Sequence, residues 1–482
     1  MPLRQQPAHA QLYAILDDAS KGKAPEWAQR YLQSKAYQEY VAKPLAGKMS
    51  QEQAPAVRAP ARVQPKKSGS SSKQVSALRQ FMILSGRNVK ILTRDKFALG
   101  LMLATAPIVS LLDVVLAFAL GRTPFDFYTG SMTNVIITLF LMTIYGVMVG
   151  GISQMREIVK EAEIYKRERL VNLQIFPYIF SKVWIAALLA LYQAAAYVIV
   201  HYLAFDMPGG AMDFALIYFT MVLVTFAGMM LGLFASALAP NANSAPLMVI
   251  MLMLPQIVLG GAIVPVPPAV SAPTSTRWAL EAMMSVTGVG SDIAADLCWK
   301  LPPEVRDSMT LEQKLENNCQ CLGVNLLKQE TCDHPGIGAF SVAEVDGPIP
   351  TEPVRPLDPV LPERPVQPAD QSDSIAMADY FTRLQAWEVE ATAIQTASQE
   401  AFAQYERDLS VYIEARKNIE TAVAPAEGVA RTFYNAMYWS YVNKEDTLAY
   451  YTKIGTAWLV QGFICVVLFI AIIFLQKRKD AI

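Results

Sequence analysis

The densest cluster of ionisable side chains lies in residues 156–169, where nine of fourteen residues are Asp, Glu, Lys or Arg. Opposite charges recur at helical spacing, as in Glu163 and Arg167, and such pairs stabilise an exposed helix by only about 0.2–0.5 kcal/mol each. Ile158 and Tyr165 interrupt the charge. This mixture is typical of a helix held between protein surfaces, and the alternative is a solvated connection that only sets the topology.

Four cysteines within 35 residues offer a second kind of chemistry. They are Cys298, Cys319, Cys321 and Cys332, with the spacing C-x20-C-x-C-x10-C. An even set in an oxidising compartment favours two disulfides, and the sequence leaves all three possible pairings open. The alternative is a zinc site with His334, but the spacing lacks the paired C-x2-C knuckles of common structural zinc sites. We expect Cys465, in an apolar run, to be a small buried residue.

One carboxylic acid, Asp113, lies inside the first long apolar run, in LLDVVLAF. An ionisable residue at membrane depth is a functional candidate, and the alternative is a position near the outer end of the span that faces water or a partner. We expect His201, near the outer end of the third apolar run, to occupy an interfacial position.

The fifth apolar run contains residues that break helices. In LPQIVLGGAIVP, we expect Pro255, Gly260, Gly261 and Pro265 to weaken regular helix. Irregular backbone at membrane depth occurs where it is buried in protein or lines a cavity. The sequence therefore predicts a gate or part of a translocation path here.

Nucleotide chemistry has no motif in this sequence. No G-x-x-x-x-G-K-[ST] loop occurs, and no G-x-G-x-x-G opens a helix. No set of His, Cys and Asp with catalytic spacing appears in a segment predicted to be cytoplasmic. We therefore expect no catalytic residue, metal or cofactor in this chain, and no ATP hydrolysis by this chain alone.

Apolar helices are the elements that must position these residues. The chain is 53% hydrophobic and 17% charged, whereas soluble proteins are about 25% charged. Apolar runs of about 20 residues, long enough to cross a bilayer as helices, recur along the chain. We predict a mainly α, polytopic membrane protein with six transmembrane helices, near residues 97–120, 131–152, 181–204, 213–238, 245–266 and 456–476.

The distribution of basic residues predicts the orientation. Lys and Arg crowd before span 1, between spans 2 and 3, and after span 6, whereas the short 1–2 and 3–4 connections hold only Arg122. By the positive-inside rule, both termini are cytoplasmic and the protein lies in the cytoplasmic (inner) membrane. Because Met1 to Ser50 has no apolar signal-peptide region, we expect the first span to act as the targeting signal.

Four segments follow from this topology. Residues 1–73 form a cytoplasmic segment that ends in a Pro- and Ser-rich linker. Residues 74–266 contain a basic amphipathic helix in the membrane interface and spans 1 to 5. Residues 267–455 form a large extracytoplasmic segment, and residues 456–482 form span 6 and a cytoplasmic tail.

The extracytoplasmic segment has three predicted parts. They are a compact part near 275–340 with the cysteines, an extended Pro-rich stretch, and a long helix over 374–420. We expect the apolar stripe of that helix to pack on the compact part. Within the spans, small residues four apart permit close helix packing, as in Gly146/Gly150 and Gly228/Gly232/Ser236.

Two stretches of the chain resemble a known family. Glu161, Tyr165, Arg167 and Glu168, followed by Tyr178, resemble the E-x-x-x-[FY]-x-R-E…Y pattern of the ABC-2 membrane domain in G-type (White-like) ABC transporters. The stretch SALAPNANSAPLMVIMLMLPQIVLGGAIVP is similar to that family's end of span 4 through span 5. The six-span order is also similar to the family, the outer segment with its cysteines and long helix most resembles bacterial members, and the resemblance covers about residues 75–480.

The resemblance implies a role for each part. The charged segment corresponds to the coupling helix, which docks on the nucleotide-binding domain and passes ATP-driven motion to the spans. Two membrane domains are expected to pair, as a homodimer or a heterodimer, with spans 2 and 5 lining the path between them. The implied activity is export, most often of lipid-like or amphipathic substrates, and the implied partners include membrane lipids but no nucleic acid.

The sequence departs from the family in one large respect. G-type half transporters carry an ATPase domain before the spans, whereas here only about 73 residues precede the connecting helix. We therefore expect a permease subunit powered by a separate ABC ATPase subunit that binds ATP and magnesium, or else a truncated chain. The alternative function is a membrane-anchored receptor or assembly protein that acts through its extracytoplasmic segment.

Overall fold

The computed structural model describes residues 24–43, 75–345, 347, 351–436 and 438–480. The chain divides into two compact units, Met1–Lys73 and Gln74–Ile482. In the first unit the described residues form α1 (Ala24–Leu32), α2 (Lys35–Tyr37) and a π-helical turn (Gln38–Ala42). The predicted linker lies outside the described residues.

Apolar helices dominate the second unit. They are α4 (Lys96–Leu120), α5 (Met132–Gln154), α7 (Ile175–Ala204), α8 (Ala211–Leu238), α9 (Ala245–Val258) and α16 (Thr447–Asp480). Among the described helices, five are long and apolar enough to cross a membrane, and α9 is a shorter apolar helix. The described residues contain no strand. The mainly α, polytopic class is therefore confirmed, with six as an approximate span count.

Two further helices flank the spans on one side of this bundle. The predicted basic helix before span 1 is present as α3 (Ala77–Arg94), and it packs along α7. The helix α6 (Ala162–Arg169) covers only the second half of the charged segment of residues 156–169. The first half consists of turns and a 3-10 helix (Val159–Glu161), so the charged segment is less regular than a single helix.

The packing of α5 against α8 depends on glycine. A Cβ atom at Gly228 would lie 2.4 Å from the carbonyl oxygen of Val147, and one at Gly232 would lie 2.3 Å from that of Gly151. Both distances are far below van der Waals contact, so only glycine allows the two backbones to approach this closely. The predicted close packing through small residues is confirmed.

The fifth predicted span is interrupted, as its helix-breaking residues suggest, and its helix is shorter than predicted. The helix α9 ends at Val258 rather than continuing to 266, and Gly261 adopts φ +86, a left-handed conformation that favours glycine. After a short helix, α10 (Pro268–Ser271), the chain turns back as α11 (Ser275–Thr287). Gln256 ties the two limbs together: its side-chain oxygen accepts from the backbone N–H of Ser275 at 2.9 Å.

The helix α11 packs against α5, α8 and α16 and is buried along nearly its whole length. Its Ala279, Leu280 and Met283 belong to the same apolar core as the spans. The sequence predicts that residues 275–287 belong to the compact extracytoplasmic part with the cysteines, and in the structure this helix packs into the core of the bundle instead. Because α11 is short and carries Arg277 and Glu281, its composition does not indicate a buried bundle helix.

The cysteines lie in a second apolar core. Short helices build it: α12 (Ser291–Ala295), α13 (Pro303–Asp307), α14 (Leu311–Glu316) and the 3-10 helices Leu297–Lys300, Gly323–Leu327, Ile337–Phe340 and Ala343–Val345. Disulfides join Cys298 to Cys319 and Cys321 to Cys332. We call residues 288–345 the disulfide part. The two predicted disulfides are confirmed, and the structure selects one of the three pairings.

The predicted long helix is present as α15 (Ser374–Ala436) and continues sixteen residues beyond its predicted end. Its C-terminal third, including Ile419 and Ala426, packs on the disulfide part. Earlier on the helix, the predicted packing is wrong for two stripe residues. The indole of Trp387 donates to the carbonyl of Pro362 at 2.7 Å, and Arg355 lies over the ring of Phe402.

The Pro-rich stretch therefore covers part of the stripe. Proline occupies every third position from 353 to 368, which matches the three-residue turn of a polyproline II helix.

Candidate functional site

The charged segment is anchored first to span 4. The hydroxyl oxygen of Ser236 in α8 accepts hydrogen bonds from the backbone N–H groups of Ile158 and Val159, both at 3.0 Å. Ser236 was singled out only as a small residue for helix packing. Its second use satisfies two backbone donors at the start of the charged segment, which fixes that end to the bundle.

Glu161 points into the protein. Its carboxylate lies 2.8 Å from Nζ of Lys182 in α7 and 3.9 Å from Nη2 of Arg87 in α3. The hydroxyl of Tyr178 donates to the same carboxylate at 3.4 Å. Glu161 and Lys182 are both buried, so each charge depends on the other for compensation.

Arg87 extends this ionic contact along the charged segment. Its guanidinium also pairs with the carboxylate of Glu168, at the far end of α6. The neighbouring Asn88 donates to the hydroxyl of Ser181 in α7 at 3.1 Å. The helix α3, the charged segment and α7 therefore form one polar junction. Lys182 was not among the predicted site residues, although a lysine within an apolar run is a recognisable signal.

Tyr165 also faces inward. Its ring packs on that of Tyr178 with centroids 4.8 Å apart, and its hydroxyl donates to the carboxylate of Asp480 at 3.0 Å. Nε of Arg169 reaches the same carboxylate at 2.8 Å. Asp480 is the last described residue of α16, so the charged segment contacts span 6 as well as spans 3 and 4.

The outer face of the charged segment is different. Arg167 is exposed and donates only a 3.4 Å hydrogen bond, to the backbone carbonyl of Glu163. Leu170 and Val171, just beyond α6, are 89% and 81% exposed. Val171 also lines a groove between the segment and α3. Of the four predicted coupling residues, Glu161 and Tyr165 thus hold the segment, Glu168 bridges to α3, and Arg167 is free to contact a partner.

The predicted gate residues lie at the joint between α9 and α11. Pro255 is inside α9, and its carbonyl accepts the N–H of Leu259 at 2.9 Å. A Cβ atom at Gly260 would lie 2.7 Å from the ring of Phe140 in α5. Gly261 lies beside the side chains of Trp439 and Arg277. The joint is therefore tightly packed against span 2.

A buried ionic cluster stands next to this joint. Glu281 of α11 receives Nε of Arg277 at 2.8 Å and Nζ of Lys453 in α16 at 2.5 Å. Arg277 also donates to the carbonyl of Tyr438 at 2.6 Å. The sequence analysis missed this cluster. Its only sequence signal is the four-residue spacing of Arg277 and Glu281 in a short helix.

Asp113 makes no described contact with the predicted gate residues or with the ionic cluster, and it does not face water. Its carboxylate lies 2.9 Å from Nδ1 of His201, and both side chains are completely buried. His201, expected at an interfacial position, is thus buried within the bundle, with its ring against α4. The pair joins spans 1 and 3.

Metal chemistry has no support in the described part of the chain. No group of three His, Cys, Asp or Glu side chains there could hold an ion. The zinc alternative is wrong for the four cysteines, since all are disulfide-bonded, and His334 is buried beside the carbonyl of Pro335. Cys465 is a free buried cysteine, as predicted.

Comparison with known proteins agrees with this architecture. Residues 79–285 match the model of the ABC-2 type transporter family, and no curated protein gives a significant match to the sequence. The matched region runs from α3 through the charged segment and the first five apolar helices to α11. Residues 79–285 are therefore similar to an ABC-2 type transporter membrane domain, which implies a permease component, and the long apolar helices indicate a multi-pass membrane protein.

Proposed function

We propose that this chain is the permease subunit of a G-type ABC exporter and that a separate ATPase subunit docks on the charged segment. One observation carries the proposal: the segment is held by α3, α7, α8 and α16 on its inner side and is open on its outer side. Motion imposed on such a segment is passed to the bundle rather than absorbed locally. The ATPase subunit would bind ATP and magnesium.

The docking surface would combine apolar and basic groups. Leu170 and Val171 protrude beside Arg167, and a groove opens between this edge and Ile83 of α3. Exposed aliphatic side chains next to a groove are typical of protein contact sites. Lys477, Arg478 and Lys479 lie near this face, in the last turn of α16. Because basic residues favour the cytoplasmic side, the predicted orientation has this face in the cytoplasm.

A second membrane domain would complete the transport path. The helix α9 leaves one apolar stripe uncovered in this chain, formed by Leu247, Ile250, Met251, Leu254 and Val258. These residues recur at the three- and four-residue steps of one helix face, next to the joint at Gly260 and Gly261. We propose that this stripe faces the path and the second copy, and that lipid-like or amphipathic substrates move along it.

Co-purification tests the ATPase partner. The tagged chain is purified from its native host, and a protein with a Walker motif is expected to accompany it. A variant with Leu170→Asp and Val171→Asp should lose that protein, because both changes place charge in the docking face. The matched control is Leu238→Asp at the end of α8, another exposed leucine. If the wild-type chain captures no such ATPase, the proposal fails.

One observation favours the alternative of a receptor or assembly protein. On the Pro-rich stretch, Val354, Leu357, Val360 and Val366 are each about nine-tenths exposed, on the side away from α15. An exposed aliphatic row of this kind suits protein contact. Under this alternative, Leu170→Asp with Val171→Asp would leave the cellular phenotype intact, whereas replacing the aliphatic row with serine would abolish it.

A further inference from the structure

We infer that α16 links the charged segment mechanically to the buried helix α11, with Asp480 and Lys453 as the positioning residues at its two ends. The helix runs without interruption from Thr447 to Asp480. At a rise of about 1.5 Å per residue, Lys453 and Asp480 lie about 40 Å apart along its axis. One rigid element thus touches both the docking segment and the joint next to the gate.

The first contact clamps the C-terminal end of α16. The Asp480 carboxylate, 19% exposed, accepts from Tyr165 and Arg169 of the charged segment. Nζ of Lys479 adds a 3.2 Å hydrogen bond to the carbonyl of Ala239 at the end of α8. A shift of the charged segment therefore pulls on α16 directly, through charge-assisted hydrogen bonds, which are stronger than neutral ones.

The second contact clamps the opposite end. Nζ of Lys453 binds Glu281, whose side chain is only 6% exposed. Glu281 sits in α11, and α11 packs along α16 over several turns. Because Glu281 is buried, losing Lys453 would leave its carboxylate paired with Arg277 alone, so Lys453 and α11 are expected to move together.

Among the described contacts, the middle of α16 makes no polar side-chain contact with α7 or α9. Its one polar side-chain contact there is Trp458, whose indole donates to the hydroxyl of Thr220 in α8 at 2.9 Å. On the outward face of α16, apolar residues such as Leu459, Phe463 and Ile470 are not covered by the rest of this chain. The polar contacts of α16 therefore concentrate towards its two ends, while its covered face packs along α8 and α11.

The functional meaning of this link rests on the proposed function, since it would carry ATPase motion to the gate. The link is distinct from the path lined by spans 2 and 5, because it uses span 6. Its physical content can be tested without an ATPase or a substrate. Substitutions about 40 Å apart normally act independently, so non-additivity between the two ends would show that α16 joins them.

The experiment measures hydrogen exchange of residues 275–287 in the full-length chain in lipid nanodiscs. Asp480→Asn should accelerate that exchange about fivefold or more, the low end of ordinary coupling between sites. Glu163→Gln is the matched control, because it removes an exposed carboxylate from the same segment that pairs only with Lys166. It should leave the exchange unchanged.

A double variant completes the test. Lys453→Met should itself accelerate exchange in α11, and adding Asp480→Asn should then change nothing further. Independent, multiplicative effects in the double variant, or no effect of Asp480→Asn alone, would overturn the inference. If Asp480→Asn does not fold, Tyr165→Phe removes one of the two donors and should shift exchange in the same direction by a smaller factor.

The two proposals can fail separately. If the two ends of α16 show no coupling in hydrogen exchange but an ATPase is still captured, the inference about α16 fails and the proposed permease function stands. If the two ends are coupled in hydrogen exchange but no ATPase is captured, the mechanical link stands and the proposed function fails.

Discussion

At the residue scale, the charges of this protein divide into those that hold the charged segment and those that remain available. Glu161 and Lys182 compensate each other inside the bundle, whereas Glu163 and Lys166 form an exposed pair on the outer face. Both pairs consist of a glutamate and a lysine. Burial alone decides that the first pair is structural and that the second is dispensable.

Removing Glu161 should therefore destabilise the bundle strongly. Glu161→Ala leaves Lys182 buried and unpaired, which costs about 3–5 kcal/mol in comparable buried pairs. Adding Lys182→Met should recover part of the loss, because the orphaned charge disappears. The measurement is the free energy of unfolding in detergent micelles, with Glu163→Ala as the exposed control. Equal effects of Glu161→Ala and Glu163→Ala would contradict this account.

His334 should make the disulfide part sensitive to acid. Burial lowers the pKa of its imidazole from 6.5 to about 4. Below pH 6.5 the unfolded chain binds a proton that the folded chain does not, so stability falls as the pH drops towards 4 and is unaffected above 6.5. The loss reaches about 3 kcal/mol. Thermal unfolding across this range should show a smaller acid-dependent loss in His334→Asn than in the wild type.

At the scale of elements, the sequence predicts which helices pack closely, but it does not predict how the chain continues after the fifth apolar helix, α9. Small residues at four-residue spacing let α5 and α8 approach, and the backbone distances at Gly228 and Gly232 agree. The break near Gly260 was also foreseen. That the chain returns into the bundle as α11 was not, because this stretch carries the charges of Arg277 and Glu281 and the partner Lys453 lies far away in the chain.

A β-carbon at Gly232 should separate two spans. Gly232→Ala places a methyl group 2.3 Å from the carbonyl oxygen of Gly151, so α5 or α8 must shift. Overpacking of this kind costs about 1–3 kcal/mol. Gly462→Ala in α16 is the matched control, since nothing lies within 4 Å of its added carbon. A stability loss in the control as large as that at Gly232 would point to helix propensity or flexibility rather than to packing.

At the scale of the whole molecule, the helix bundle and the disulfide part have separate apolar cores. The bundle core contains the spans and α11, and the second core contains the cysteines and the C-terminal third of α15. The exposed stripe on α9 and the exposed face beside Arg167 both belong to the bundle. The surfaces proposed for a second membrane domain and for an ATPase therefore lie on the helix bundle and not on the disulfide part.

Disruption of one disulfide should weaken one core more than the other. Replacing Cys298 and Cys319 by serine opens a loop with a sequence separation of 21 residues, and losing such a crosslink costs about 2–4 kcal/mol. Proteolysis should then cleave within residues 288–345 while the bundle keeps its helical circular dichroism signal. A cooperative loss of the whole signal at the same denaturant concentration would show that the two cores unfold as one.

The sequence by itself determined the apolar helices, the close packing of two of them, the presence of two disulfides and the charged segment. These features are local, because a membrane demands about 20 apolar residues in a row and a motif is read within one helix. The tertiary structure alone decided the cysteine pairing, the Asp113–His201 contact, the burial of α11, and which face of the charged segment points inward. Those depend on contacts between residues far apart in the chain, such as Tyr165 with Asp480, and helical periodicity does not say what a face will meet.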